Sequence, residues 1–235
     1  MRDATLETLW PTRCVICDQP GALLCASCYR VLPFIDCWNA CPRCGSPRGR
    51  VQCCHCNPVM LGGFGLDEPP YNQCVSALEL TEATGKLATL YKDGGEQRLA
   101  HVLAALMAPF IPPDWREERP FVTFVPATTQ AYRRRGFDHA ELLAHALAQR
   151  CALPGGAVFT RPKSTDQRVL SREQRLKNTQ KRFTVGPAVA MPKSVLLIDD
   201  VYTTGATLFA ASLECRAQGA EHIFCATLAR AEGEI

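Results

Sequence analysis

Residues 195–207 read Val-Leu-Leu-Ile-Asp-Asp-Val-Tyr-Thr-Thr-Gly-Ala-Thr, and each part of the run meets a different demand of one ligand. Val195 to Ile198 is a short apolar run of the kind buried in a parallel sheet, and it ends in two adjacent carboxylates, Asp199 and Asp200. Thr203 to Thr207 supply small hydroxyl residues and Gly205 where the apolar spacing turns helical, through Leu208, Ala211, Ser212 and Cys215. Such a strand-to-helix turn aims backbone N–H groups and threonine hydroxyls at an anion, helped by the helix dipole. The carboxylates stand where they can accept charge-assisted hydrogen bonds from the hydroxyls of a sugar attached to that phosphate. A capped helix needs one hydroxyl or acid at its start; two acids followed by Thr-Thr-Gly-Ala-Thr exceed that need. The ligand described is a ribose 5-phosphate.

Around this run, strand and helix patterns alternate. Val75 to Leu80, Phe121 to Val125, Val195 to Ile198 and Ile223 to Leu228 read as strands. Ala83 to Tyr91, Gln97 to Met107, Asp138 to Gln149 and Thr204 to Gln218 read as helices, with Asp138 an N-cap and Gly219 a C-cap. Alternation of this kind predicts an α/β fold, a parallel sheet covered by helices with its ligand at the carboxyl ends of the strands.

Cysteine is the second signal. Of fourteen cysteines, eight form four Cys-x-x-Cys pairs: Cys14/Cys17, Cys25/Cys28, Cys41/Cys44 and Cys53/Cys56. Met1 to Trp10 lacks the long apolar core of a secretory signal, so a reducing, cytoplasmic setting is expected and the pairs read as zinc ligands rather than disulfides. Two turns of this kind complete a closed tetrahedral site, so two structural Zn2+ ions are expected. Spacing favours sequential pairing over a crossed brace. Cys37 and Cys54 are then spare, and Cys54 or His55 competes for a place in the second site. The expected organisation is a double zinc ribbon over 1–60, a Pro/Gly-containing linker over 61–74 and the α/β domain over 75–235. No apolar run is long enough for a membrane span. A net charge of +3 is too small to imply nucleic acid by itself, but Arg133, Arg134 and Arg135 concentrate positive charge.

The 195–207 run resembles the 5-phosphoribosyl 1-pyrophosphate (PRPP) motif of the type I phosphoribosyltransferases. The resemblance implies that Asp199 and Asp200 hold the ribose hydroxyls, that Val201 and Tyr202 belong to the same PRPP site, and that Thr203, Thr204, Gly205, Ala206 and Thr207 surround the 5-phosphate. Two further segments widen the match: Tyr132-Arg133-Arg134-Arg135-Gly136-Phe137-Asp138-His139, and Arg161 to Gln167 continuing through Leu170, Arg175, Asn178 and Phe183. With the cysteine-rich front end, nearly the whole chain resembles the ComF (GntX-like) family of competence-associated phosphoribosyltransferase-like proteins. Members usually read Arg-Gly-Phe-Asn-Gln where this chain has Arg135-Gly136-Phe137-Asp138-His139.

That resemblance implies a pyrophosphate-binding loop at Arg133 to Arg135, with Arg135 joining Asp199 and Asp200 as catalytic residues. It also implies a PRPP contact from Lys92 and a flap over 161–182. Mg2+ is expected to accompany PRPP, bound through substrate oxygens more than protein ones. Natural competence would make incoming single-stranded DNA and the competence machinery the partners. Active transfer of phosphoribose to an acceptor, and a zinc-ribbon interaction module with a vestigial PRPP site, are the other two readings; no segment announces a pocket for a particular base.

Overall fold

Val195 and Leu197 pack into one hydrophobic cluster, Leu196 and Ile198 into another, so the central strand is buried on both faces, as its unbroken apolar run predicts. The computed structural model describes residues 11–162, 183–187 and 190–232. Four strands, β1 (Gln73–Glu79), β2 (Phe121–Phe124), β3 (Ser194–Tyr202) and β4 (His222–Arg230), form one sheet in the order β1-β4-β3-β2. All three pairings are parallel. The fold is therefore the expected parallel α/β sheet.

Helices α3 (Glu82–Lys92), α4 (Leu99–Met107) and α7 (His139–Cys151) bury Leu87, Tyr91, Leu103, Leu143 and Leu147 against one face of the sheet. On the other face, α8 (Ala206–Ala217) buries Leu208, Phe209, Ala211 and Cys215. The stretch 108–118 between them adds a 3₁₀ turn and α5 (Pro113–Glu118), whose Trp115 stacks on Phe224 with ring centroids 4.5 Å apart.

The strands and helices differ from their expected bounds mainly at the acidic end of β3. The apolar run stops at Ile198, yet β3 continues to Tyr202 because β4 keeps pairing with it as far as Tyr202 opposite Arg230. Ladder hydrogen bonds there outweigh the poor strand propensity of two aspartates. Arg133 to Arg135, expected in a loop, form the last turn of α6 (Thr129–Arg135). Thr128 caps that helix by accepting from Ala131 N, and Gly136 ends it in the left-handed region at φ 78°.

The cysteine-rich front end runs along the free edge of β1. Ile35 N donates to Ala77 O at 3.0 Å, Glu79 N to Pro33 O at 2.9 Å and Cys74 N to Arg43 O at 2.9 Å. Among its described residues the front end also carries two single-turn helices, α1 (Ala26–Arg30) and α2 (Pro58–Gly62). Within the expected linker, Leu61 and Tyr71 are buried in the same cluster as Phe209 and Leu208. Residues 163–182 of the expected flap lie outside the described residues.

Candidate functional site

The chain leaves β2 and β3 in opposite directions. After β2 it passes through α6 and α7 and returns beyond the outer edge, where Gly155 bridges Val122 in parallel; after β3 it crosses through α8 to β4 on the other side. Connections that part in this way leave a crevice at the carboxyl ends of the two strands. Here the crevice is a cleft of about 360 Å³, floored by Asp199, Asp200 and Val201 and walled by Pro126, Thr128, Arg135, His139, Lys92, Thr203 and Thr207.

The two carboxylates have different surroundings. Asp200 is buried, and its Oδ2 lies 3.0 Å from Lys92 Nζ and 3.5 Å from His139 Nε2. Burial alone would raise its pKa, but the His139 hydrogen bond and the Lys92 charge outweigh burial and hold it well below the usual carboxylate range. Asp199 is pushed the other way, first by burial and then by the negative charge of Asp200. One acid is thus locked as a structural anion, while its neighbour keeps its proton to unusually high pH and lacks a cation of its own at hydrogen-bonding distance among the described residues. That leaves Asp199 as the carboxylate with capacity to accept from a ligand.

The turn after the acids is shaped by Gly205. Its φ of 81° lies in the left-handed region, and a Cβ placed there would stand 2.3 Å from Tyr202 Oη and 2.8 Å from Phe209. Gly205 is the N-cap of α8 and offers no side-chain acceptor, and Thr203 and Thr207 on either side of it line the cleft, so the start of a twelve-residue helix stands beside the cleft. Thr204 Oγ1 reaches only Ala206 N, at 3.4 Å.

On the opposite wall, Arg135 donates to Asp93 Oδ1 through Nε at 3.1 Å, and its Nη1 lies 3.4 Å from His139 Nδ1. That contact turns the other ring nitrogen of His139 toward Asp200. The wall itself is fixed by Asp138, which is buried and accepts from Ala140 N, Glu141 N and Ala127 N. Tyr91 Oη donates to His139 O at 2.5 Å and ties the start of α7 to α3.

The structure therefore gathers Lys92, Arg135, Asp199, Asp200, Val201, Thr203 and Thr207 around one cleft, with Thr204, Gly205 and Ala206 in the adjoining turn. Arg134 instead pairs with Asp93 and lines a neighbouring groove with Gly94 and Gly95, and Arg133 is exposed. Tyr202 is buried on the far side of the turn, its Oη 3.1 Å from Tyr71 Oη and its ring 3.8 Å beneath the Arg230 guanidinium. His139 and Asp138 carry more of the site's structure than their sequence neighbourhood signalled. The N-cap reading of Asp138 and the departure from Asn-Gln at these two positions were the available hints.

Two cysteine clusters stand apart from the cleft. The Sγ atoms of Cys14, Cys17, Cys25 and Cys28 lie within 4.8 Å of one another, and so do those of Cys41, Cys44, Cys53 and Cys56. Sulfurs about 2.3 Å from a tetrahedral zinc stand about 3.8 Å apart, close to the 3.6 Å of Cys17–Cys25, 3.7 Å of Cys41–Cys56 and 3.6 Å of Cys44–Cys53. The donor sets fit Zn2+, the pairing is sequential, and Cys37, Cys54 and His55 belong to neither set. Backbone N–H groups of Cys25, Cys28 and His55 point at cluster sulfurs at 3.4 Å, the usual outer support of a thiolate site.

No family model matches the chain. Among curated proteins it is 27% identical over 190 residues to the competence protein ComFC of Streptococcus pneumoniae, covering 79% of this chain and 77% of that one. The chain is similar to this competence protein. Solved structures similar to the chain include the Trypanosoma cruzi hypoxanthine phosphoribosyltransferase, with 14% identity, 59% of this chain and 66% of that chain covered, and a TM-score of 0.36. Another is the orotate phosphoribosyltransferase of Aeropyrum pernix, with 23% identity, 60% and 63% covered, and a TM-score of 0.33. Likenesses this loose add nothing to what the chain's own strand order and cleft show.

Proposed function

We propose that the cleft binds PRPP as its Mg2+ complex and that the chain serves natural competence through that site. The observation that carries this is the meeting of Asp199, Asp200, Thr203 and Thr207 in the lining of one crevice beside the start of α8. A ribose 5-phosphate in this cleft would set its hydroxyls toward the acids and its phosphate on the turn. Asp199 accepts from the ribose hydroxyls, Asp200 stays ionised and holds Lys92 in place, and Thr203 and Thr207 donate to the phosphate. Arg135, steadied by Asp93 and His139, faces the diphosphate. Mg2+ would neutralise the diphosphate when bound.

Calorimetric titration of PRPP with Mg2+ tests this reading. Wild type is expected to bind, and Asp199→Asn, which leaves the Lys92–Asp200 pair intact, to lose about tenfold in affinity, the worth of one well-made hydrogen bond. A folded, zinc-loaded wild type that does not bind would overturn it. Catalysis would show as diphosphate release once an acceptor is supplied, and its absence would leave a binding role.

Similarity to a competence protein and the exposed Arg133 on α6 support single-stranded DNA as the partner in a reducing cytoplasm. Affinity for a labelled single strand should fall steeply with salt, less steeply in Arg133→Ala. A flat salt response would remove DNA from the reading. Among the described residues no helix is long and apolar enough to cross a membrane.

A further inference from the structure

Arg230 is 1% exposed, and none of the carboxylates among the described residues forms an ion pair with it. Its Nη1 donates to Cys44 O at 2.6 Å, its Nη2 lies 3.6 Å from Cys44 Sγ, and its Nε is buried without a partner. A buried guanidinium is costly unless an anion compensates it. The second cysteine cluster beside it would supply that anion when metal is bound: four thiolates on one Zn2+ carry a net negative charge, whereas four thiols carry none.

The other side of the same guanidinium lies 3.8 Å over the Tyr202 ring. Tyr202 Oη is held by Tyr71, and Gly205 sits against that ring so closely that no side chain fits between. One unbroken set of contacts thus joins Cys44, Arg230, Tyr202 and the turn at Thr203–Thr207. Among the described residues the first cluster shows no such route: its neighbours Val15, Ile16, Leu23 and Leu24 pack against the opposite core.

We propose that Arg230 is a positioning residue that makes the order of the Thr203–Thr207 turn depend on metal in the Cys41/Cys44/Cys53/Cys56 cluster. With metal bound, Arg230 is compensated and pins Tyr202. Without it, the buried cation loses its counter-charge, Tyr202 loses its lid and the turn loses its seat. The meaning for PRPP rests on the cleft reading above; the coupling itself does not.

The test uses the full chain without PRPP and reads hydrogen exchange of the 203–209 amides together with zinc content. Cys53→Ser and Cys25→Ser each remove a ligand from one cluster and should each carry one zinc less than wild type. Exchange in 203–209 is expected to rise about tenfold or more in Cys53→Ser and to stay at the wild-type rate in Cys25→Ser. Arg230→Met should loosen the same amides and release zinc to a chelator about tenfold faster or more, as losing an outer-shell partner does. Arg230→Lys, keeping the charge without the planar fork, should fall between. Equal exchange in both cysteine variants, or wild-type exchange in Arg230→Met, would overturn the proposal. If Cys53→Ser does not fold, Arg230→Met decides alone. Failure of wild type to bind PRPP would sink the cleft reading and leave the exchange result to judge the coupling.

Discussion

Asp199 and Asp200 are covalent neighbours of identical chemistry, and the protein gives them opposite proton affinities. The folded chain holds the Asp199 proton more tightly than the unfolded chain does. That stabilisation is full below the ordinary carboxylate range and is lost as pH rises through the raised value. Asp200 runs the other way: its stabilisation is present above the ordinary range and is lost as pH falls through its depressed value. Asp199→Asn should therefore unfold at higher denaturant concentration than wild type at mildly alkaline pH, by about 1 kcal/mol, a common gain when a strained functional group is neutralised. The gap should close as pH falls through the folded-state value of Asp199. A gap of the same size at every pH would show that burial of Asp199 costs nothing. The sequence displayed both acids, because adjacency in a motif is a local property. Which acid would be the anchored one was not legible, since Lys92 and His139 reach Asp200 from 108 and 61 positions away.

At the scale of elements, the turn between β3 and α8 is set by a single backbone conformation. Gly205→Ala would place a methyl into Tyr202 at a positive φ, costing about 1–3 kcal/mol and displacing the first-turn N–H groups. A thermal melt should show the lower stability, and PRPP titration a loss of affinity larger than any fall in folded fraction explains. Wild-type melting with lost binding would instead place the glycine's role in the ligand contact alone. The helix and strand periods announced β3, β4, α7 and α8 well, because each packs an apolar stripe that recurs at its own spacing. Helix α6 escaped notice for the same reason: all seven of its residues are at least partly exposed, so no stripe marks it. Its capping threonine and terminal glycine were the signals available.

For the whole molecule, the cysteine spacing showed both metal sets in advance, because ligands close in sequence leave few ways to close a tetrahedron. Purified chain should carry two zinc ions by elemental analysis, and a chelator should lower its thermal stability in two resolvable losses; a stoichiometry of one would refute the sequential assignment. The docking of the front end was not readable. A Pro- and Gly-containing stretch suggested a tether, yet Leu61 and Tyr71 are buried and Arg230 reaches Cys44 across 186 positions. Contacts between segments so far apart leave no local pattern, only residues that look out of place, such as an arginine ending an apolar strand.

Strand order has a consequence for how the chain is made. β4 lies between β1 and β3, although it is synthesised after both. Until residues 222–230 have left the ribosome, β1 has no partner in the sheet, β3 is paired on one edge only, and the guanidinium opposite Cys44 does not exist. A growing chain can fill its cysteine clusters early but cannot close its core, because pairings as distant as Gln73 with Phe224 wait for the last strand. Such topologies fold slowly and expose open edges meanwhile. Truncation within β4 should thus leave soluble yield far lower than an equal cut within α1, and a chaperone that shields nascent strand edges would be needed most during the interval between β3 and β4.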